Sequence, residues 1–399
     1  MLYQIEGSQA VAMAVALCRP RIVCAYPITP QTHIVEGLGE RVRNGELKNC
    51  KFINVESEMA ALSVSIGSQA TGVRSYTATS SQGLLFMAEA VYNASGLNLP
   101  IVMTLGNRAI GSPINIWNDH TDAMSVRDAG WIMLFAETNQ EAVDLHIQAF
   151  KIAETVRTPV MVCVDGFILT HAYDRVDIPS QEAVDDFLPE YVPHIELEPK
   201  NPMAIGTMVP PEYFMEVRYL EHKRQQQSLE IVKNIGIEFQ KKFKRESGGL
   251  VRYYGPKDAD VVIVAMGSIC GTIKDTLDEL NLENSKVKYG LLTVISFRPF
   301  PTEAIRDALG KAKEIIVVEK AFAVGRGGIL SDEIELSVGK TGQNIRSVIA
   351  GLGGRAITKS MLKEYFSQSE HEKLKFLGMN RELIESDIAA LKNLQCESK

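Results

Sequence analysis

Several short stretches in the first third of the chain carry the side chains best able to do chemistry. Tyr26-Pro27-Ile28-Thr29-Pro30 sets a threonine between two prolines. Each proline fixes its own φ and restricts the residue before it, so the loop is stiff and Thr29 is held in one orientation. A rigid turn with no ligand is the plain alternative. Glu56-Ser57-Glu58 places two acids at the start of a helix. Acids there stabilise the helix dipole; the sharper reading is a carboxylate buried by the small apolar run Met59-Ala60-Ala61-Leu62 and suited to catalysis. Thr79-Ser80-Ser81-Gln82-Gly83 gathers hydroxyls, an amide and backbone N–H groups at one turn. Helix capping explains one of these residues, and a polar ligand would use the others. Arg108, in Gly106-Asn107-Arg108, can grip a carboxylate through two parallel hydrogen bonds or make a surface ion pair. The run 113–122 crowds Asn115, Asn118, Asp119, His120 and Asp122 around Trp117. A His/Asp pair can bind a metal, but neighbours in sequence rarely chelate one ion together, and no metal is expected there.

The elements that must position these residues alternate. Residues 21–25, 51–55, 73–78, 100–105 and 159–164 read as strands, the last two continuously apolar as in a parallel sheet covered on both faces. Residues 8–18, 58–71 and 140–156 read as helices, and another starts at Leu84. Each candidate site residue therefore falls just past a predicted strand, where open α/β sheets bind ligands. From 194 to 249 the pattern changes to a proline-rich connector and a long polar helix over 216–243. A second α/β unit follows. It has strands at 260–266, 286–294 and 314–318, helices at 272–280 and 301–309, a glycine turn at 325–328 leading into a helix, and a charged helical tail. The predicted class is α/β, with domains at 1–193 and 250–399 joined by the connector 194–249.

Composition narrows the function. The 399 residues are 45% hydrophobic and 23% charged, an ordinary globular balance, with a formal net charge of −7. Broad attraction to nucleic acid or to an anionic membrane is not expected. No apolar run is long enough to span a bilayer, and the first residues lack the basic start and apolar core of a signal peptide. The chain is expected in the cytoplasm. Its six cysteines are scattered without CxxC spacing, so it is expected to hold neither structural zinc nor an iron–sulfur cluster. There is no phosphate-binding GxxxxGK[ST] loop. Nor is there a Gly-Asp-Gly followed by an asparagine pair, as at metal-bound thiamine diphosphate; Asp165-Gly166-Phe167 lacks the first glycine.

Taken in order, the motifs resemble the α subunit of the pyruvate:ferredoxin oxidoreductases, within the wider 2-oxoacid:ferredoxin oxidoreductases. The matching residues are Tyr26 to Pro30, Ser57-Glu58-Met-Ala-Ala61, Thr79 to Gly83, Asn107-Arg-Ala109, Pro113 to His120, Arg127-Asp128 with Gly130-Trp131, Val164 to Phe167, Gly267-Ser268, Gly271-Thr272 and Phe297-Arg-Pro-Phe-Pro301. The resemblance implies a thiamine-diphosphate-binding-type parallel-sheet domain followed by a transketolase C-terminal-like α/β domain. It implies that Glu58 meets the aminopyrimidine ring of thiamine diphosphate, that Ser81 and Gln82 help bind the cofactor, that Arg108 receives the substrate carboxylate, and that Thr29 is its neutral partner. The implied reaction is oxidative decarboxylation of pyruvate with coenzyme A, electrons passing to ferredoxin. The implied partners are a β subunit holding the diphosphate, Mg2+ and iron–sulfur clusters, together with γ and δ subunits. A branched-chain substrate, 2-oxoisovalerate, and a non-catalytic assembly subunit are the alternatives.

Overall fold

The computed structural model describes residues 1–283, 286–339, 342–368 and 372–390. Its strands in chain order are β1 (Leu2–Glu6), β2 (Ile22–Ala25), β3 (Lys51–Asn54), β4 (Ser75–Thr79), β5 (Val102–Asn107), β6 (Ile132–Phe135), β7 (Val160–Asp165), β8 (Tyr173–Asp177), β9 (Val251–Tyr254), β10 (Val261–Ala265), β11 (Tyr289–Val294), β12 (Ser296–Arg298), β13 (Glu314–Glu319), β14 (Asn344–Ile349) and β15 (Leu374–Phe376). They form a seven-stranded sheet, β12-β6-β7-β5-β4-β2-β3, a six-stranded sheet, β15-β14-β13-β10-β11-β9, and a β1-β8 ribbon. Within the two large sheets only β12 on β6 and β9 on β11 run antiparallel. The α/β class expected from the alternation of elements is the one observed.

Period-two alternation sorts the apolar residues of the first sheet between two cores. Val160, Val162 and Val164 face helices Gly7–Leu17, Thr32–Arg43 and Asn139–Val156. Met161 and Cys163 face the other way and share a core with Val262, Val264, Leu292 and Val317 of the second sheet. The two sheets are thus joined through buried apolar surface. Polar atoms inside the first core are chained together: the Tyr76 hydroxyl lies 2.6 Å from Thr104 Oγ1, which lies 2.5 Å from His146 Nε2, and His146 Nδ1 lies 2.6 Å from the Ala142 carbonyl. Burial pushes His146 down to about 4, against the Ala142 hydrogen bond, so it packs as a neutral ring. Burial also raises the thiols of Cys18, Cys163 and Cys270, as expected of inert core cysteines; Cys396 lies outside the described residues.

The long polar helix spans Pro211–Phe243, five residues earlier than read from the sequence. Proline's fixed φ suits a first helical turn, and Pro211 sits there. Its second half buries Val232, Ile235 and Phe239, with Phe239 edge-on to Phe187 at 5.5 Å between ring centres. Several elements had weak or no sequence signal. β1 and β8 are mostly exposed and pair only with each other. β6 is four residues long, and β12 is three residues that leave the second half of the chain to edge the first sheet. The expected charged tail begins instead with β15, then a turn at Glu382–Ile384 and a helix to residue 390. Residues 391–399 lie outside the described ones.

Parallel strands end on one side. So β2, β3, β4, β5 and β7 deliver the residues that follow them to a single edge of the sheet. β5 and β7 stay in register to their last residues, Asn107 opposite Asp165.

Candidate active site

Glu58 opens helix Glu58–Ala70 but does not cap it. Ser57, in extended conformation, caps it by accepting from the Ala60 N–H at 3.2 Å. That leaves Glu58 buried at 7% exposure, and no group among the described residues donates a hydrogen bond to its carboxylate. Gly83 makes room for it. A methyl added there would lie 2.7 Å from Glu58 Oε1 and 2.5 Å from Thr79 Oγ1, so no other residue fits the turn without displacing both. Thr79 Oγ1, beside this carboxylate, and Ser80 Oγ, which faces Gly106, are buried without a partner among the described residues. Buried polar atoms are normally paired, and two successive hydroxyls of this turn are not, among the described residues.

Arg108 is held from three sides. Its backbone N–H donates to Asp122 at 2.9 Å, its Nε to the Asn115 carbonyl at 3.1 Å, and its Nη1 to the Thr29 carbonyl at 2.9 Å. Nη2 has no partner among the described residues. Burial lowers the guanidinium's pKa and the Asp122 carboxylate opposes this. Thr29 is exposed, and it touches Arg108 through its backbone carbonyl. Its hydroxyl makes no hydrogen bond among the described residues. Arg108 and Thr29 are therefore together, as the sequence suggested, but the contact does not use the side chain that the proline argument fixed.

Ser81 and Gln82 are placed differently from each other. Ser81 adopts φ +44° and turns its hydroxyl inward, 2.5 Å from the Ala109 carbonyl and 2.5 Å from Gln82 Oε1. Gln82 is half-buried, and its amide Nε2 would be 2.5 Å from a methyl at Gly111. The turn 79–83 thus connects the two groups of residues: Gly83 packs on Glu58, and Ser81 on the strand that bears Arg108.

Asp122 is the residue that the sequence reading undervalued. Fully buried, it accepts from the backbone N–H groups of Ser81 (3.1 Å), Arg108 (2.9 Å) and Ala123 (2.7 Å), and from Asn107 Nδ2 (2.9 Å). One carboxylate fixes both the 79–83 turn and Arg108. Burial dominates and pushes it up to about 7, against the bonds from Asn107, Arg108 and Ser81. His120, two residues away, faces elsewhere: its Nε2 is 2.6 Å from Asp165. Asp165 in turn accepts from Lys320 Nζ at 2.8 Å, from the Ser268 N–H at 3.0 Å and from the Ser268 hydroxyl. Burial opposes its ionisation, but Lys320 and His120 outweigh burial and hold its carboxyl well below the usual range. The crowding at 118–122 was legible in the sequence; its division between two carboxylates was not, because Asp165 and Lys320 are distant in the chain.

The rim is apolar and open. Tyr26, Phe86, Ile114, Ile116 and Trp117 are all exposed, on the same loops and turns that carry Thr29, Gln82 and Asn115. Trp117 lies over Phe167 with ring centres 4.6 Å apart. The glycine turn at 325–328 contributes no site: the three N–H groups of Ile329, Leu330 and Ser331 at the helix start are taken by Glu319 at 2.7–3.1 Å.

A 2-oxoacid enzyme of the thiamine type is the class that such a sheet edge suggests, and comparison with known proteins establishes the family. Residues 13–236 match the family model described as pyruvate flavodoxin/ferredoxin oxidoreductase, thiamine diphosphate-binding, and residues 259–362 match pyruvate:ferredoxin oxidoreductase core domain II. The chain belongs to the pyruvate flavodoxin/ferredoxin oxidoreductase family. It is 43% identical over 371 residues to pyruvate synthase subunit PorA of Methanosarcina barkeri, covering 92% of each chain. It is 41% identical over 362 residues to ketoisovalerate oxidoreductase subunit VorA of Pyrococcus abyssi, covering 90% of this chain and 91% of that one. In fold it is similar to a 2-oxoglutarate:ferredoxin oxidoreductase from Magnetococcus marinus (TM-score 0.68, 18% identity), over 92% of this chain and 64% of that one. Among the described residues no helix is long and apolar enough to cross a membrane.

Proposed function

We propose that this chain is the α subunit of a pyruvate:ferredoxin oxidoreductase and supplies half of a shared active site. The observation that carries this reading is Glu58, a residue only 7% exposed whose carboxylate takes no hydrogen bond among the described residues, beside the unpartnered Thr79 hydroxyl. Such a set fits the nitrogen-rich edge of an aminopyrimidine ring. Thiamine diphosphate, when bound, supplies an electron sink for loss of carbon dioxide from a 2-oxoacid. Glu58 would be the residue to hold a proton at a nitrogen of that ring, which is acid–base work that needs a sheltered carboxylate. Gln82 lies along the same turn and orients the bound ring, and Ser81 keeps the turn's shape through its inward hydroxyl. Arg108, kept rigid by three hydrogen bonds, offers Nη2 to the substrate carboxylate, and the Thr29 hydroxyl adds a neutral donor. Two domains, 1–193 and 250–399, joined through 194–249, describe the same division of labour.

The apolar rim favours a partner. Exposed aromatic and branched side chains grouped around a polar pocket mark an interaction surface, and the relatives above are themselves named as subunits. In this reading a β subunit covers the rim and brings the diphosphate site, Mg2+ and iron–sulfur clusters. γ and δ subunits and ferredoxin complete the electron path, and coenzyme A takes the acyl group. The cytoplasm is the corresponding compartment. Pyruvate is the proposed substrate, in keeping with the relatives named pyruvate synthase; the ketoisovalerate relative makes 2-oxoisovalerate the second reading. A few methylene groups separate the two, about 1–3 kcal/mol in a fitted pocket, so kcat/KM measured for both acids decides between them.

The test is Glu58→Ala in the reconstituted complex. Pyruvate-dependent reduction of ferredoxin is expected to fall by about 10²- to 10⁴-fold, the usual loss when a positioned acid–base group is removed. Activity near that of the unsubstituted complex would refute the assigned role.

A further inference from the structure

We propose that the turn at 351–354, in the second α/β unit, is a clasp that sets the position of Arg108; the proposal rests on the reading of Arg108 as the substrate-carboxylate site. The loop 115–119 lies between the two. On its inner side, Asn115 gives its carbonyl to Arg108 Nε at 3.1 Å, and Trp117 gives its carbonyl to the Ala109 N–H at 2.9 Å. On its outer side the turn binds it three times. Asn115 Nδ2 donates to the Gly353 carbonyl at 3.2 Å, the Gly353 N–H to Asp119 Oδ2 at 3.0 Å, and the Gly354 N–H to the Asn118 carbonyl at 2.7 Å.

The fit leaves no slack. Gly353 and Gly354 have φ of +58° and +79°. A methyl on the first would lie 2.5 Å from Asn115 Nδ2, and on the second 2.4 Å from Trp117 Cβ. The bare backbone of the turn therefore packs on the Asn115 and Trp117 side chains where a further side chain would hold the two units apart. The turn is itself anchored, because it follows β14 and the Ala350 N–H donates to the Glu319 carbonyl at 3.0 Å. Asn115 is the coupling residue: a single side chain and its own carbonyl link Gly353 to Arg108. The second unit thus acts on the substrate pocket as a positioning element and makes no contact with the reacting atoms.

Two variants test this in the full chain and in the reconstituted complex. Asn115→Ala removes the outer tie, together with the loop's own bond from the Trp117 N–H to Asn115 Oδ1 at 2.7 Å, and keeps the carbonyl that faces Arg108; Asn115→Asp, which keeps an oxygen for the Trp117 N–H and loses the donor to Gly353, separates the two. Gly353→Ala forces the clasp open, with Gly325→Ala, at φ +81° in open space, as the control for backbone strain alone. Both test variants are expected to raise the KM for the 2-oxoacid about tenfold and leave kcat and the KM for ferredoxin within about twofold, since a misplaced binding group costs ground-state binding first. The double variant should be no worse than Gly353→Ala alone, because opening the clasp already breaks the Asn115 tie. A readout that needs no activity is acrylamide quenching of Trp117 in the full chain, whose other tryptophan, Trp131, is fully buried. Quenching should rise in both test variants and not in Gly325→Ala.

Unchanged quenching in Asn115→Ala would mean that the turn does not hold the loop. Increased quenching with unchanged KM would mean that the loop does not position Arg108. Either result overturns the clasp. A complex that turns over no 2-oxoacid would overturn the functional reading and with it the role given to Arg108, while the quenching result would still judge whether the turn holds the loop.

Discussion

Two buried carboxylates at ends of the same sheet have opposite surroundings. Asp165 is 1% exposed and receives hydrogen bonds from His120 of its own unit and, across the seam between the sheets, from Lys320 and Ser268. Glu58 is 7% exposed and receives none among the described residues. A group that is fully satisfied within the chain has a structural role. A carboxylate in a largely buried residue that no group of the chain pairs with is free to take a hydrogen bond from a ligand. The difference separates the part of the molecule that holds the sheets together from the part proposed to meet substrate and cofactor, and it can be tested.

The largest expected effect on stability is at Asp165. Asp165→Ala leaves the 3%-exposed Lys320 ammonium buried without its counter-charge. Breaking a buried pair in this way costs about 3–5 kcal/mol, to be read as a lower denaturant midpoint for the purified chain. Glu58→Ala removes a carboxylate that nothing in the chain pairs with, so the midpoint should stay the same or rise. Loss of stability at Glu58 equal to that at Asp165 would abolish the distinction.

A smaller effect involves a buried group satisfied in only one charge state. His146 has its folded pKa lowered from 6.5 to about 4. Its contribution is full above the unfolded value of 6.5 and is lost as the pH falls towards 4. The shift of about 2.5 units corresponds to about 3 kcal/mol. Asp122 and Asp144, raised to about 7 and about 6, carry the opposite sign: each contributes stability at low pH that is lost as the pH rises through its folded value. The measurement is therefore the difference between the chain and His146→Gln, titrated from pH 7 to 4. The variant should lose less stability on acidification, and equal losses would show that His146 is not held neutral.

This contrast also explains what the sequence could disclose. Strands β5 and β7 were legible because each is a continuous apolar run buried on both faces. That Thr29, Glu58 and Arg108 lie along one edge of the sheet was legible because parallel strands end on one side; of the three, Thr29 and Arg108 are in contact. The Asp165–Lys320 pair, the clasp at Gly353 and the crossing of β12 to the first sheet were not legible. Each depends on how the two units are placed against one another, and periodicity within one element does not encode that. Asp122 lay in plain view, yet four of its neighbours in sequence are equally polar, and only the fold shows which carboxylate turns inward.

The smallest effect is at Thr29, where sequence and structure disagree about which atom matters. The prolines on either side suggested a hydroxyl held in place for substrate, while the observed contact is the Thr29 carbonyl accepting from Arg108 Nη1 at 2.9 Å. Thr29→Val separates the two, because it deletes the hydroxyl and keeps the carbonyl, the β-branch and the loop. If the hydroxyl touches substrate, the KM for pyruvate rises by about 5- to 12-fold, the worth of one neutral hydrogen bond at about 1–1.5 kcal/mol. If the loop serves only to hold Arg108, KM stays within about twofold, and Thr29 then belongs with Asp122 among the residues that position the arginine.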